Sequence, residues 1–142
     1  MLPHHPQVEV NCHDHVVVAS EQQGCDVVQA FEQVCSTLAG LEKQGMDYAV
    51  DEKLGYLGCS LDNIGAALQV SFRMNLPLMR QQEEFQEILD LYQLEAVECG
   101  NQIYDIRNKV VFGIAEDKIV QQTFDGAVQL AKMESLAADS QE

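Results

Sequence analysis

The most regular pattern of apolar and polar positions lies between Cys25 and Gln44. Apolar residues recur there every three or four positions with polar residues between them, which predicts an amphipathic helix that Gly45 ends. The same spacing predicts a second helix over Gln81–Tyr92 and a long third helix from about Ala115 to about Leu136.

Strands are predicted by short β-branched or alternating runs. Val8–Asn11 and His15–Ser20 surround a polar turn and form either two strands or one bent strand. Leu54–Ser60 is predicted as a strand followed by a turn. Apolar and polar residues alternate from Val70 to Asn75, which is typical of a half-buried strand.

A tight hairpin is predicted between residues 95 and 107. Two strand candidates, Glu95–Cys99 and Gln102–Arg107, are separated only by Gly100 and Asn101, a turn-forming pair. Three helices and about five short strands, several joined by hairpins, indicate an α+β fold, in which helices flank one antiparallel β-sheet.

The length of 142 residues suits one domain with a core of its own. We therefore predict a single domain over residues 1–142. Residues 1–7 contain two prolines and are expected to form an extended arm, since proline removes a backbone donor. Residues 137–142 are expected to form a frayed tail.

The charge of the chain is strongly negative, with 23 acidic against 8 basic residues and a formal net charge of −15. Such a surface repels nucleic acid, anionic membranes and, in part, ATP. Protein partners are therefore expected, with no nucleic acid and no membrane insertion. The alternative is that the acidic residues serve solubility alone.

Five cysteines occur without any CxxC pair, which favours free thiols in a reducing compartment over a disulfide framework. The first ten residues show no secretory or organelle presequence, and no apolar run is long enough for a membrane span. We expect a soluble intracellular protein, in the cytoplasm or within a large organellar or ciliary assembly.

Five segments, in this order, together resemble the ATP:guanidino phosphotransferases, the family of creatine and arginine kinases. They are NCHDH from Asn11, DEKLGYLGCSLDNIGAALQVSFRMNLPLM from Asp51, EFQEIL from Glu84, IYDIRN from Ile103 and FDGAVQLAKME from Phe124. The resemblance implies the last part of the family's catalytic domain, with a glutamine-synthetase-like fold. It does not include the family's amino-terminal domain or the first part of the catalytic domain.

The resemblance also implies a site for in-line phosphoryl transfer, in which positive charges neutralise the nucleotide phosphates. At its first motif the family has a glutamate where this chain has His13 and an arginine where it has Val17. At its second motif the family has a reactive cysteine where this chain has Ser60 and a phosphate-binding arginine where this chain has Gln69. These four positions are therefore predicted to be degenerate, so that no residue is catalytic or binds a cofactor.

A third departure from the family is a deletion. The family carries an arginine-bearing segment and a mobile loop with a catalytic glutamate, where this chain has only the short connection 97–102. Arg73 falls where the family has a histidine near adenine, and one such contact cannot hold a triphosphate. We therefore expect no cofactor.

Two side-chain groups admit a second interpretation. On a strand, His13 and His15 would project from one face beside Cys12, which suggests zinc, but no further ligands converge in the sequence. We therefore predict no metal site and a solvated turn. Cys59 could be a displaced nucleophile, but its glycine and apolar neighbours favour a buried, inert thiol on the opposite face of the strand.

These observations favour a catalytically inactive guanidino-kinase-like domain that serves as a structural or interaction subunit of a larger assembly. Its contacts are expected through an exposed sheet edge and acidic surface. Two alternatives remain open: a kinase half completed by another chain, and a sensor that binds a nucleotide or guanidino compound without turnover.

Overall fold

The structure, a computed structural model, describes residues 5–140. The chain divides into two compact units, Met1–Ala67 and Leu68–Glu142. Residues 1–4 of the expected arm and 141–142 of the expected tail lie outside the described residues. The single domain over residues 1–142 stays a prediction.

The first unit begins with a β-hairpin. Strands β1 (Gln7–Val10) and β2 (Val16–Ala19) pair antiparallel. The backbone N–H of Asn11 donates to the carbonyl of His15 at 3.0 Å, which closes the turn between them. Of the two alternatives for this segment, two separate strands are therefore correct.

Helix α1 (Val27–Lys43) confirms the helix that the apolar spacing predicts. The carboxylate of Asp26 accepts a hydrogen bond from the N–H of Gln29 at 3.0 Å and caps its first turn. Gly45, with φ of 93°, follows the helix and donates to the carbonyl of Glu42 at 2.9 Å. No residue in the described range 5–67 is fully buried, so the apolar face of α1 stays partly accessible.

The predicted strand Leu54–Ser60 is confirmed only over two residues and is wrong for the rest of its range. Only Gly55–Tyr56 (β4) is a strand, paired with Val50–Asp51 (β3). The carboxylate of Asp51 accepts the N–H groups of Lys53 and Leu54, at 2.8 and 2.9 Å, and shapes the turn between the two strands. These hydrogen bonds hold the pKa of Asp51 below its usual value.

The second unit contains a three-stranded antiparallel sheet in the order β5 (Ser71–Asn75), β7 (Ile103–Asn108), β6 (Leu94–Gly100). The predicted hairpin between β6 and β7 is confirmed, although Gly100 belongs to β6. Asn101 and Gln102 form the turn, with φ of 53° and 64°, and two positive φ values are typical of a tight type I′ turn.

Two helices pack with this sheet: α2 (Glu84–Leu91) and α3 (Glu116–Asp139). The segment Met79–Gln81 is a separate 3-10 turn, so α2 begins three residues later than predicted. The predicted fraying is wrong for residues 137–139, which continue α3. The core of the unit contains Leu76, Met79, Phe85, Ile88, Leu89, Leu94, Tyr104, Ile106 and Leu130.

The α+β class with antiparallel sheets is therefore confirmed. Among residues 5–140, no helix has the length and apolar character needed to cross a membrane.

Candidate functional site

Asp14, in the turn between β1 and β2, organises the polar part of the first unit. Its Oδ1 accepts the backbone N–H of His15 at 2.8 Å and that of Cys59 at 3.0 Å. Its Oδ2 accepts the side-chain amide of Asn63 at 3.2 Å. These hydrogen bonds, that from Cys59 foremost, lower the pKa of Asp14 to about 2.

The segment that reaches Asp14 depends on a close approach at Gly58. A Cβ atom at this position would overlap the carboxylate of Asp14, so any larger residue would require that carboxylate to move. Tyr56 and Gly65, which lie on either side of Gly58 in the sequence, exchange backbone hydrogen bonds of 2.9 and 3.3 Å. The segment therefore folds back as a loop from Leu57 to Ile64 instead of continuing as a strand.

Cys59 and His15 form a pair that the sequence did not predict. The thiol Sγ of Cys59 lies 3.2 Å from Nε2 of His15, and both residues are exposed. The prediction of a buried Cys59 on a strand, facing away from the motif, is wrong. The carboxylate of Asp14 accepts the backbone N–H of Cys59, which lies 45 positions further along the chain. No local sequence pattern predicts a contact between residues so far apart.

The residues of the suggested histidine cluster are arranged differently from the expectation. His13 is exposed in the turn, and the thiol of Cys12 donates to the carbonyl of Val10 at 3.7 Å. Among the described residues, the potential metal ligands that converge are instead Asp14, His15 and Cys59.

The four positions predicted to be degenerate have separate local roles. Val17 is a half-buried residue of β2 opposite Glu9, and His13 lies in the preceding turn. Ser60 caps the short 3-10 helix Leu61–Asn63, its hydroxyl accepting the N–H of Asp62 at 3.3 Å. Gln69, in the second unit, is exposed just before β5.

The chain has three arginines, Arg73, Arg80 and Arg107, and all of them lie in the second unit. Arg73 pairs with Asp105 through Nε at 2.9 Å and its second amino group at 3.2 Å. Arg107 pairs with Glu95 at 2.5 Å. The guanidinium of Arg80 lies over the rings of Phe85 and Tyr104, at 5.7 and 6.0 Å from their centres. Arg73 and Arg107 are thus paired with carboxylates, and Arg80 lies beside two aromatic rings.

An open cleft of about 330 Å³ lies at the carboxyl end of α1. Burial, and then Glu42, raise the pKa of Tyr48 in this cleft. The cleft carries two carboxylates and no basic residue, which disfavours a phosphate ligand. Its lining consists of Glu42, Met46, Asp47, Tyr48, Val50 and Tyr56.

The matches to known proteins define the class. Residues 4–137 match the family model described as ATP:guanido phosphotransferase, C-terminal catalytic domain. The chain belongs to this family, and the resemblance predicted from its motifs is confirmed.

Arginine kinases are among the similar curated proteins. The chain is 31% identical to that of Liolophura japonica over 92% of its own length and 39% of that protein. It is 33% identical to that of Penaeus japonicus over 89% of its length and 38% of that protein. The chain thus spans under two fifths of the length of these relatives.

Solved structures support the fold. The substrate-free duplicated taurocyamine kinase from Schistosoma mansoni gives a TM-score of 0.85 at 26% identity, over 92% of this chain and 18% of that one. A lombricine kinase gives 0.86 at 27% identity, over 95% of this chain and 40% of that one. The fold is therefore that of the matching part of these guanidino kinases.

Proposed function

We propose that this member of the family is catalytically inactive and works as a structural or interaction subunit of a larger protein assembly. The observation that carries the proposal is the absence of usable positive charge at the family's motif positions. His13, Val17, Ser60 and Gln69 stand where the resemblance implies two arginines, a glutamate and a cysteine.

The arginines that the chain does possess support the same conclusion. All three are engaged by a carboxylate or by aromatic rings within the second unit. In phosphoryl transfer, one arginine that stabilises the transition state contributes about 10³ to 10⁵ in rate. The loss of several such charges leaves negligible turnover.

The connection between β6 and β7 also supports the proposal that the chain is catalytically inactive. Where the family has an arginine-bearing segment and a mobile loop, this chain has a two-residue turn of Asn101 and Gln102. Neither side chain is a carboxylate or a cation, so the turn offers no group that could orient a guanidinium or neutralise a phosphate.

The exposed apolar side chains favour a role in binding protein. Among the described residues, eight large apolar side chains of the first unit are exposed, and none of its residues is fully buried. Exposed apolar groups at this density are typical of surfaces that a partner covers. The eight are Val8, Val10, Val28, Val50, Leu54, Tyr56, Leu57 and Leu61.

Strand edges and acidic side chains also favour a role in binding protein. Within the described residues, β5 and β6 each pair only with β7, which leaves two sheet edges for β-augmentation. The outer side of α2 exposes Glu83, Glu84, Glu87 and Asp90. A partner with a strand edge and a basic surface would match both features.

The test combines binding, turnover and assembly. Calorimetry with MgATP, and coupled assays with arginine, taurocyamine and lombricine, should show neither heat of binding nor phosphoryl transfer. Penaeus japonicus arginine kinase serves as the positive control. In its native source, the chain should crosslink through α2 or the sheet edges to a stable partner.

Three outcomes would contradict the proposal. Phosphoryl transfer by the chain alone would overturn the inactive assignment. The chain spans under two fifths of its relatives, so activity after mixing with the remaining segment of an arginine kinase would instead favour a complemented enzyme. Binding of MgATP or a guanidino compound without turnover would favour a sensor.

A further inference from the structure

Three side chains of different chemistry converge in the first unit. A carboxylate oxygen of Asp14, an imidazole nitrogen of His15 and the sulfur of Cys59 all lie within 4.8 Å of one another. We propose that these three residues form a binding site for Zn²⁺. The proposal does not depend on whether the chain is catalytically inactive.

The spacing of the ligand atoms is close to what zinc requires. With Zn–S near 2.3 Å and Zn–N near 2.0 to 2.1 Å, the sulfur and nitrogen of a tetrahedral site lie about 3.5 Å apart. Sγ of Cys59 and Nε2 of His15 are separated by 3.2 Å. The sulfur and the nitrogen therefore need to separate by only about 0.3 Å, which small rotations of two exposed side chains allow.

The carboxylate of Asp14 is oriented in advance. Its Oδ1 accepts two backbone N–H groups, which occupy both of its lone pairs. Its Oδ2 accepts the amide of Asn63 at 3.2 Å and has a second lone pair that can face a metal ion. Hydrogen bonds of this kind fix ligand orientation and sustain metal affinity.

The ligand set selects the metal. Sulfur with imidazole nitrogen and one carboxylate suits zinc, whereas calcium and magnesium prefer oxygen ligands alone. Three protein ligands leave a fourth position for water, so the site would be open and exchangeable. Access is unobstructed because His15 and Cys59 are exposed and Gly58 has no side chain above the carboxylate.

The test is a titration of the reduced, purified full chain with Zn²⁺ alone, in competition with a chromophoric chelator. One ion per chain is expected. Co²⁺ in place of Zn²⁺ should give a thiolate-to-cobalt charge-transfer band. Cys59→Ser should abolish that band. Both Cys59→Ser and His15→Gln should lower zinc affinity at least tenfold, the range found for perturbed metal sites.

The controls use the same residue types outside the cluster. Cys99→Ser and His13→Ala should leave affinity within twofold of the parent chain, because neither residue belongs to the group. Circular dichroism verifies folding. Since Cys59 and His15 are exposed, at least one of their variants should remain folded and decide the comparison.

The proposal fails if the parent chain does not bind Zn²⁺, or if Cys59→Ser and His15→Gln bind as tightly as the parent. It also fails if His13→Ala or Cys12→Ser removes binding while Cys59→Ser does not, since the ion would then lie on the other side of the turn.

Discussion

Arg73 and Asp105 lie directly opposite each other on β5 and β7, and their side chains form a two-point ion pair. Arg73 is the residue that stands where the family resemblance implies a histidine near adenine. Its guanidinium instead joins two strands of the sheet, at a site where its side chain is 66% exposed and that of Asp105 is 25% exposed.

A double-mutant cycle with Arg73→Ala and Asp105→Ala should give a coupling energy of about 0.5 kcal/mol, as for other exposed ion pairs. High salt should reduce this energy. Arg73 lowers the pKa of Asp105 through hydrogen bonds. The coupling should therefore be complete above the usual carboxylate pKa and disappear as pH falls through the lowered value. Urea unfolding measures it, and a coupling that rises on acidification would contradict the assignment.

Asn108→Ala should reduce the free energy of unfolding by about 1 to 3 kcal/mol, the cost of unpaired buried polar groups. The side chain of Asn108 is buried, accepts the N–H of Val70 at 2.7 Å and donates to the carbonyl of Leu68 at 3.1 Å. The alanine variant leaves both backbone groups without this partner. Exposed Asn75→Ala on β5 is the matched control and should change stability by less than about 0.5 kcal/mol. Equal effects of the two substitutions would refute this role.

The two helical glycines should respond oppositely to the same substitution. Gly40→Ala in α1 meets no atom within 4 Å and should stabilise the chain by about 0.5 to 1 kcal/mol through the helix propensity of alanine. Gly126→Ala in α3 would drive Cβ into the side chains of Leu94 and Tyr92. Overpacking of this kind costs about 1 to 3 kcal/mol. Thermal and urea unfolding of both variants provide the measurement, and stabilisation by Gly126→Ala would show that the contact is absent.

Asp14 should titrate well below an ordinary aspartate, with a midpoint near 2 instead of 3.8. Because folding lowers this pKa, the contribution of Asp14 to stability is complete above pH 3.8 and is lost as the pH falls towards 2. Carboxyl NMR shifts between pH 1.5 and 6 measure the midpoint directly. The stability difference between the parent chain and Asp14→Asn should shrink over the same interval. A midpoint close to 3.8 would mean that the hydrogen bonds from Cys59, His15 and Asn63 do not persist in solution.

The local periodicity of apolar and polar residues predicted helices and strands that each form within one short segment of the chain. The apolar spacing identified α1, α2 and α3, and the alternation from Val70 to Asn75 identified β5. The pair Gly100–Asn101 located the hairpin to within one residue of its turn. Boundaries were less well predicted. The 3-10 turn at Met79–Gln81 begins where the carboxylate of Glu134 on α3 accepts the N–H groups of Leu78 and Met79, a contact that local spacing does not indicate.

The sequence by itself determined the family, the helices α1 to α3 and most of the strands, because these features reside in residue identity and short-range spacing. Only the tertiary structure decided that Cys59 leaves the predicted strand and meets His15. That contact requires a turn carboxylate, Asp14, to hold the N–H of a residue 45 positions away. A hydrogen bond between residues so far apart produces no periodic pattern in the sequence, because the two residues do not lie on one helix face or on paired strands.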